Sequence, residues 1–157
     1  MLEMKNITKI YNPGTVQEPC LFRDFSLKIE QGSFASVVGS NGSGKTSLLN
    51  ILCGSIPVEQ GKILMDNADI TKVKEFRRYR RMGRVYQNPA MGTCPTMNIL
   101  ENLSMADNKG KPFNLTRGTN KRRIEAYKAM LAPLGLGLED KMGIPVGSLS
   151  GGQRQAL

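Results

Sequence analysis

An α/β fold is predicted, a β-rich core followed by a mainly helical part, and three observations carry that prediction. A glycine-rich loop, Gly39-Ser40-Asn41-Gly42-Ser43-Gly44-Lys45-Thr46, stands between an apolar run and a helix-forming run. The segment before it alternates apolar and polar residues, the spacing of half-buried strands. Beyond Pro95 the apolar residues recur at helical spacing instead.

The elements follow in order. Leu2 and Met4 alternate, and Ile7 and Ile10 continue the first strand toward Tyr11. Asn12-Pro13-Gly14-Thr15 has the composition of a turn. Phe25, Leu27 and Ile29 sit two apart with polar residues between them, a second strand. Gln31-Gly32 turns the chain into Phe34–Val38, a continuous apolar run suited to a buried parallel strand. After the glycine loop a helix is predicted from Lys45 to Cys53, ended by Gly54 and kept from resuming by Pro57. Ile63 and Met65 mark another strand, closed by Asp66-Asn67. A basic helix is expected over Lys74–Arg81, then a strand at Arg84-Val85-Tyr86-Gln87 running into Asn88-Pro89. Thr96 is the expected cap of a helix reaching Ser104, with Asn98 or Ile99 in its first turn. Residues 107–118 are polar and hold Gly110, Pro112 and Gly118, so an exposed loop is expected. Asn120 is the expected cap of a last long helix to Leu131, with Ile124, Tyr127 and Leu131 on one side and Pro133 at its end. Residues 1–88 thus read as a β-rich core with the phosphate loop, and 89–157 as a mainly helical subdomain.

Composition narrows the function classes. A length of 157 residues suits one domain with a real core. An apolar share of 39% and a charged share of 22% are those of a soluble globular chain. No apolar stretch approaches the roughly 20 residues that a membrane helix needs. Residues 1–6 lack the layout of a signal peptide, so a cytoplasmic location is expected. Cys20, Cys53 and Cys94 are far apart and no histidine accompanies them, which speaks against zinc and for reduced structural thiols. The net charge of +9 gathers at Arg77-Arg78-Tyr79-Arg80-Arg81 with Arg84, and at Lys121-Arg122-Arg123. Such clusters suit nucleic acid or an anionic membrane surface, but no nucleic-acid-binding motif accompanies them. A solvated helix face is the reading they support best, and no nucleic-acid partner is expected.

The glycine loop fits GxxxxGK[ST] at every fixed position. Its chemistry needs those residue types. Glycines let the backbone wrap phosphate oxygens closely, and successive N–H groups form an anion nest. The helix that follows adds a partial positive charge at its start. Lys45 supplies a cation for the β- and γ-phosphates, Thr46 a hydroxyl for Mg²⁺, and Ser47 reaches toward the α-phosphate. Near the other end stands Leu149-Ser150-Gly151-Gly152-Gln153. Ser150 is a good helix N-cap, and two glycines expose backbone N–H groups at a helix start.

Together these two motifs resemble the ATP-binding subunit of ABC transporters, whose signature is LSGGQ. The resemblance covers the whole chain. It implies a P-loop NTPase fold with ATP and Mg²⁺ as ligands. It also implies that each signature loop closes on the nucleotide of a second subunit packed head to tail. Two further positions match. Tyr11 stands where the family has an aromatic that stacks on adenine, and Gln87 matches the glutamine that ligates Mg²⁺ or orients water. The implied nucleotide contacts are therefore Tyr11, Gly39, Ser40, Asn41, Gly42, Ser43, Gly44, Lys45, Thr46, Ser47, Gln87, Ser150, Gly151, Gly152 and Gln153, with Thr46 and Gln87 toward the metal.

The resemblance also sets expectations for what the chain does not hold. In the family the residues that activate water follow the signature, and here only Arg154-Gln155-Ala156-Leu157 do. No apolar strand ending in Asp-Glu follows, and no histidine occurs anywhere to serve as the switch residue. Glu139 and Asp140 precede the signature and follow no apolar strand, so neither takes the role. The chain reads as the front part of an ATPase that does not hydrolyse ATP by itself. Strands contributed after the signature flank those near Phe34–Val38 and Val85–Gln87 in the family. Open edges and marginal stability are thus expected of this part alone. Implied partners are membrane permease subunits and a solute-binding protein, on the inner face of the cell membrane. The absence of a fused membrane segment is more similar to a bacterial importer than to an exporter. Met91–Leu103 resembles a subgroup linked with amino-acid uptake. Two other readings stay open, a non-catalytic nucleotide-binding module and a soluble ABC ATPase acting on nucleic acid or ribosomes.

Overall fold

The alternating residues of the first segment form strand β1 (Leu2–Ile10), which pairs antiparallel with β2 (Cys20–Ile29) on one side and β3 (Gln60–Met65) on the other. A short β4 (Ala68–Asp69) completes the order β2-β1-β3-β4. The computed structural model describes residues 1–11, 20–111, 115 and 118–157. The predicted turn at Asn12-Pro13-Gly14-Thr15 lies outside them, as does part of the loop expected at 107–118. The chain divides into two units, 1–82 and 83–157.

In the first unit a bulge in β1 decides which residues face inward. Asn6 takes φ 51° and the register shifts between Met4 and Ile7. Asn6 is tied across to β2, its Nδ2 donating to Asp24 Oδ1 at 2.5 Å and its N–H to Ser26 Oγ at 3.0 Å. The extra residue moves the inward phase, so Met4, Ile7 and Lys9 are the buried positions of β1. Asp66 and Asn67 both have positive φ, 47° and 65°, the backbone of a two-residue turn between β3 and β4.

Helix α1 (Lys45–Cys53) forms with the predicted bounds. It buries Leu48, Ile51, Leu52 and Cys53, and the first three pack on Met4, Ile7 and Ile63 of the sheet. Gly54 ends it at φ 88°, its N–H donating to Asn50 and Ile51 carbonyls at 3.0 and 3.1 Å. Arg78, on the short helix α2 (Glu75–Arg78), then closes the same helix end. Its Nη1 donates to the carbonyls of Ile51 (2.9 Å) and Leu52 (2.8 Å), while Nη2 reaches Thr71 O and Nε reaches Val73 O, both at 2.9 Å. A cation at the helix C-terminus complements the dipole and satisfies otherwise orphan carbonyls. One arginine of the predicted basic face is therefore an internal cap. Another, Arg81, pairs with Asp66 at 2.6 Å.

Several expectations need correction. Phe34–Val38 is not a buried strand: it joins no sheet, and Phe34 and Val38 are 97% and 90% exposed. Arg84–Gln87 is likewise irregular, with Val85 77% exposed. A parallel strand needs hydrogen-bonding neighbours, and none pairs with either segment among the described residues. The helix expected over Lys74–Arg81 is shorter, Glu75–Arg78, with turns after it.

The second unit is built from α3 (Ile99–Asp107), α4 (Ile124–Leu131) and α5 (Gly151–Ala156). Its core is Ile99, Tyr127, Leu131, Leu138, Met142, Val146 and Leu149. Asn98, not Thr96, caps α3: its side chain accepts from Glu101 N–H at 2.9 Å, and Glu101 Oε2 accepts from Asn98 N–H at 2.8 Å. Asn120 precedes a single 3₁₀ turn (Lys121–Arg123) that leads into α4, and makes no side-chain cap. Asn102 is buried and holds the loop before α3. Its Oδ1 accepts from Cys94 N–H at 2.8 Å, and its Nδ2 donates to the carbonyls of Cys94, Met97 and Asn98 at 3.0–3.2 Å. Residues 142–147 run beside 95–100 through four backbone bonds, from Ile99, Leu100, Val146 and Gly147 N–H. Among the described residues no helix is long and apolar enough to cross a membrane.

Gly54→Ala is expected to destabilise the fold by about 2 kcal/mol or more, because the position is left-handed and an added Cβ meets Arg78 Nε. That Cβ would stand 2.7 Å from the nitrogen. Urea unfolding checks it. By the same measurement Asn102→Leu is expected to cost about 2–3 kcal/mol, since it strips partners from a buried loop N–H and carbonyls.

Candidate functional site

The glycine loop is assembled from local turns ahead of α1. Ser43 N–H donates to Ser40 O at 3.3 Å, and Leu48 N–H to Gly44 O at 2.8 Å. Gly44 stands at the N-cap position with φ 90°, and a Cβ there would lie 3.0 Å from Leu21 Cδ1. Its left-handed backbone angle favours glycine, and an added Cβ would also crowd the tip of the Leu21 side chain on β2. Lys45 is the first residue of the helix and folds back over the loop. Its ammonium donates to the carbonyls of Gly39 (2.8 Å) and Ser40 (2.7 Å), with Ser43 Oγ at 3.5 Å. Asn41 and Gly42 are exposed beside it, and Thr46 follows it in the first turn of α1. The loop therefore combines a glycine cradle, a helix start and one ammonium, a set of groups suited to phosphate oxygens. The predicted strand before it is the part of the motif's context that the described residues do not form.

Tyr11 is brought to this loop. Its hydroxyl hydrogen-bonds Ser47 Oγ, in the first turn of α1, at 3.1 Å. The ring also lies 5.6 Å from Lys9 Nζ. Lys9 pairs with Glu59 Oε1 at 2.7 Å, and Glu59 Oε2 accepts from Ile10 N–H at 2.9 Å. Burial pushes the Glu59 carboxyl up, but the Lys9 and Ile10 hydrogen bonds and the ammonium charge outweigh it, leaving the group below the usual carboxylate range. Lys9, Glu59 and Arg78 are residues that sequence reasoning missed. The bulge hides the signal for Lys9, since strict alternation counted from Met4 gives no reason to turn it inward.

The second unit holds Gln87 and the signature. Gln87 is exposed, directly before Asn88, which starts a 3₁₀ turn (Pro89–Met91) through its side chain accepting from Ala90 N–H. Ser150 is the N-cap of α5 as expected, with a full capping box. Its Oγ accepts from Gln153 N–H at 3.3 Å and Gln153 Oε1 accepts from Ser150 N–H at 3.2 Å. Gln153 also donates to Leu136 O at 3.3 Å, so its side chain is engaged in shaping the loop. Leu149 is the buried anchor, and Gly151 and Gly152 stand exposed. Arg154 donates to the carbonyls of Val146 and Gly147 at 3.2 and 2.8 Å. Gln155 reaches Tyr86 O at 3.2 Å, which joins α5 to the residue before Gln87. No group of three or more His, Cys, Asp or Glu gathers as a metal site among the described residues.

Residues 22–157 match the family model described as ABC transporter. The chain is 42% identical over 158 residues to the tyrosine transport ATP-binding protein of Clostridioides difficile (strain R20291), covering 100% of this chain and 62% of that one. It is 31% identical over 156 residues to the ribose import ATP-binding protein RbsA of Streptococcus agalactiae serotype Ia, covering 99% of this chain and 30% of that protein. A solved dimer of the ATP-binding cassette MJ0796, in a post-hydrolysis state bound to ADP and Pi, matches with TM-score 0.79 at 25% identity, covering 99% of this chain and 66% of that chain. The chain thus spans less than two thirds of the length of these relatives. The predicted α/β P-loop NTPase fold is the fold of those cassettes. On the strength of a family match that runs through both the glycine loop and the signature, this chain belongs to the ABC transporter ATP-binding family.

Proposed function

We propose that this chain binds Mg-ATP through the glycine loop and serves in the ATP-binding component of an ABC importer. The observation that carries the reading is the loop at the start of α1, where glycine backbone, helix end and the Lys45 ammonium converge. Lys45 already holds two carbonyl oxygens, so phosphate oxygens replace one kind of oxygen acceptor with a more strongly charged one. Backbone N–H groups of residues 42–46 would cradle the β-phosphate. The left-handed backbone of Gly44 at the start of α1 supports this, since such a turn can gather successive N–H groups. Tyr11 offers a flat face to the adenine base and is tied by its hydroxyl to the same helix. Thr46, in the first turn of α1, is the proposed ligand in this unit for Mg²⁺, which would neutralise phosphate charge when bound.

In the whole protein we infer that ATP binding and hydrolysis drive solute movement. The inferred partners are a second ATP-binding subunit, membrane permease subunits and a solute-binding protein. The dimeric state of the solved MJ0796 cassette supports the first of these, and the names of the import relatives support the transport role. One relative carries an export name, and the ribose and phosphonate import relatives are what support import. An amino acid is the proposed solute class, supported by the tyrosine transport relative and by the Met91–Leu103 stretch. The general base and the second acidic metal ligand are not assigned to any residue of this chain. A nucleic-acid face finds little support, because Arg78 is consumed internally and Arg81 and Arg123 are paired with Asp66 and Asp107.

Lys45→Ala in the full-length protein is expected to lower Mg-ATP affinity at least about a hundredfold, the loss of a close charge pair to phosphate. Calorimetric titration checks it, and unchanged affinity would remove the loop assignment. Tyr11→Phe keeps the ring but loses the bond to Ser47, and is expected to weaken ATP by only about two- to fivefold in the same titration.

A further inference from the structure

Tyr11 does not stand unsupported at the end of β1. We propose that Lys9 and Glu59 are a positioning pair that fixes the Tyr11 ring as the base platform, and thereby sets the base-dependent part of nucleotide affinity. The proposal rests on the reading of Tyr11 as the base-stacking residue.

Lys9 is only 6% exposed, rare for an ammonium and costly unless it is paired. The bulge at Asn6 turns it inward, and Glu59 meets it at 2.7 Å. Glu59 is fastened to three consecutive residues of β1. Its N–H donates to Thr8 O at 3.1 Å, Oε1 takes Lys9, and Oε2 accepts from Ile10 N–H at 2.9 Å. The next residue is Tyr11. The Lys9 cation lies 5.6 Å from the ring centroid, within cation–π range. The hydroxyl end is held by Ser47 at 3.1 Å. The ring is thus constrained at its backbone, at one face and at its tip. With the cation over one face, the proposal gives the opposite face to the base. A ring already held in place loses less freedom when the base arrives.

Glu59 reaches this position because it follows the end of α1. Gly54 turns the chain, Pro57 keeps it from helix, and Glu59 arrives beside β1 before β3 begins at Gln60. A merely structural pair would support the sheet and affect every ligand alike. A positioning pair affects the base and spares the phosphates.

The test is calorimetric titration of the full-length protein with Mg-ATP and, separately, with inorganic triphosphate and Mg²⁺. Wild type, Lys9→Met, Glu59→Gln, the double variant and Tyr11→Ala are compared. Lys9→Met is expected to weaken ATP roughly five- to tenfold while triphosphate stays within about twofold. The double variant leaves no buried charge unpaired, so it reads the same loss of ATP selectivity if Lys9→Met does not fold. Equal losses for both ligands, or no loss for ATP, would overturn the proposal. If Tyr11→Ala leaves ATP affinity unchanged, the base-stacking reading fails and the proposal falls with it. If Tyr11→Ala loses ATP and neither the single nor the double variant does, the proposal alone is wrong.

Discussion

The burial of one face of α1 on the antiparallel sheet is the constraint on which the glycine loop depends. Leu48, Ile51 and Leu52 are at helical spacing, and they meet Met4, Ile7 and Ile63. That contact fixes the helix axis. The helix start then fixes where Gly44 and Lys45 stand, and a nine-residue helix has little stability of its own to do this. Arg78 and Gly54 close the far end: one guanidinium takes the helix-end carbonyls of Ile51 and Leu52 together with those of Thr71 and Val73. The proposed anion site therefore has its rigidity supplied by a cation at the opposite pole of the same helix.

The second unit follows the same logic around the signature. Leu149 is sunk in the core while Ser150 and Gln153 close a capping box, so the exposed glycines are presented from a fixed base. The segment leading into them, 142–147, is bonded along 95–100. Asn102 in turn holds the loop Cys94–Met97. The stretch Met91–Leu103 and the signature are consequently parts of one packed object. Gln155 extends that object to the carbonyl of Tyr86.

Much of this is legible in the residues, and the exceptions have physical causes. The bounds of α1 are readable because a motif, an amphipathic run, Gly54 and Pro57 agree. Ser150 is readable because N-caps are local chemistry. The composition of Phe34–Val38 points to a buried strand, yet burial is a property of neighbours and none pairs with it among the described residues. Lys9 is invisible in the sequence because a bulge shifts the phase of a strand without any change in composition. Arg78 falls within a seemingly solvated basic face because a linear run of arginines does not reveal which one meets a helix end. Tyr11 is legible only through family likeness. Its bond to Ser47 is a tertiary contact that spacing alone does not give.

The central claim is that Tyr11 and the loop at Lys45 form one nucleotide site. Photolabelling the full-length protein with 8-azido-ATP, followed by peptide mapping, tests it most directly. The predicted result is label on the end of β1 at or beside Tyr11, removed by excess ATP and absent from the Lys45→Ala variant. Label confined to other segments, or label at Tyr11 that persists in that variant, would contradict it.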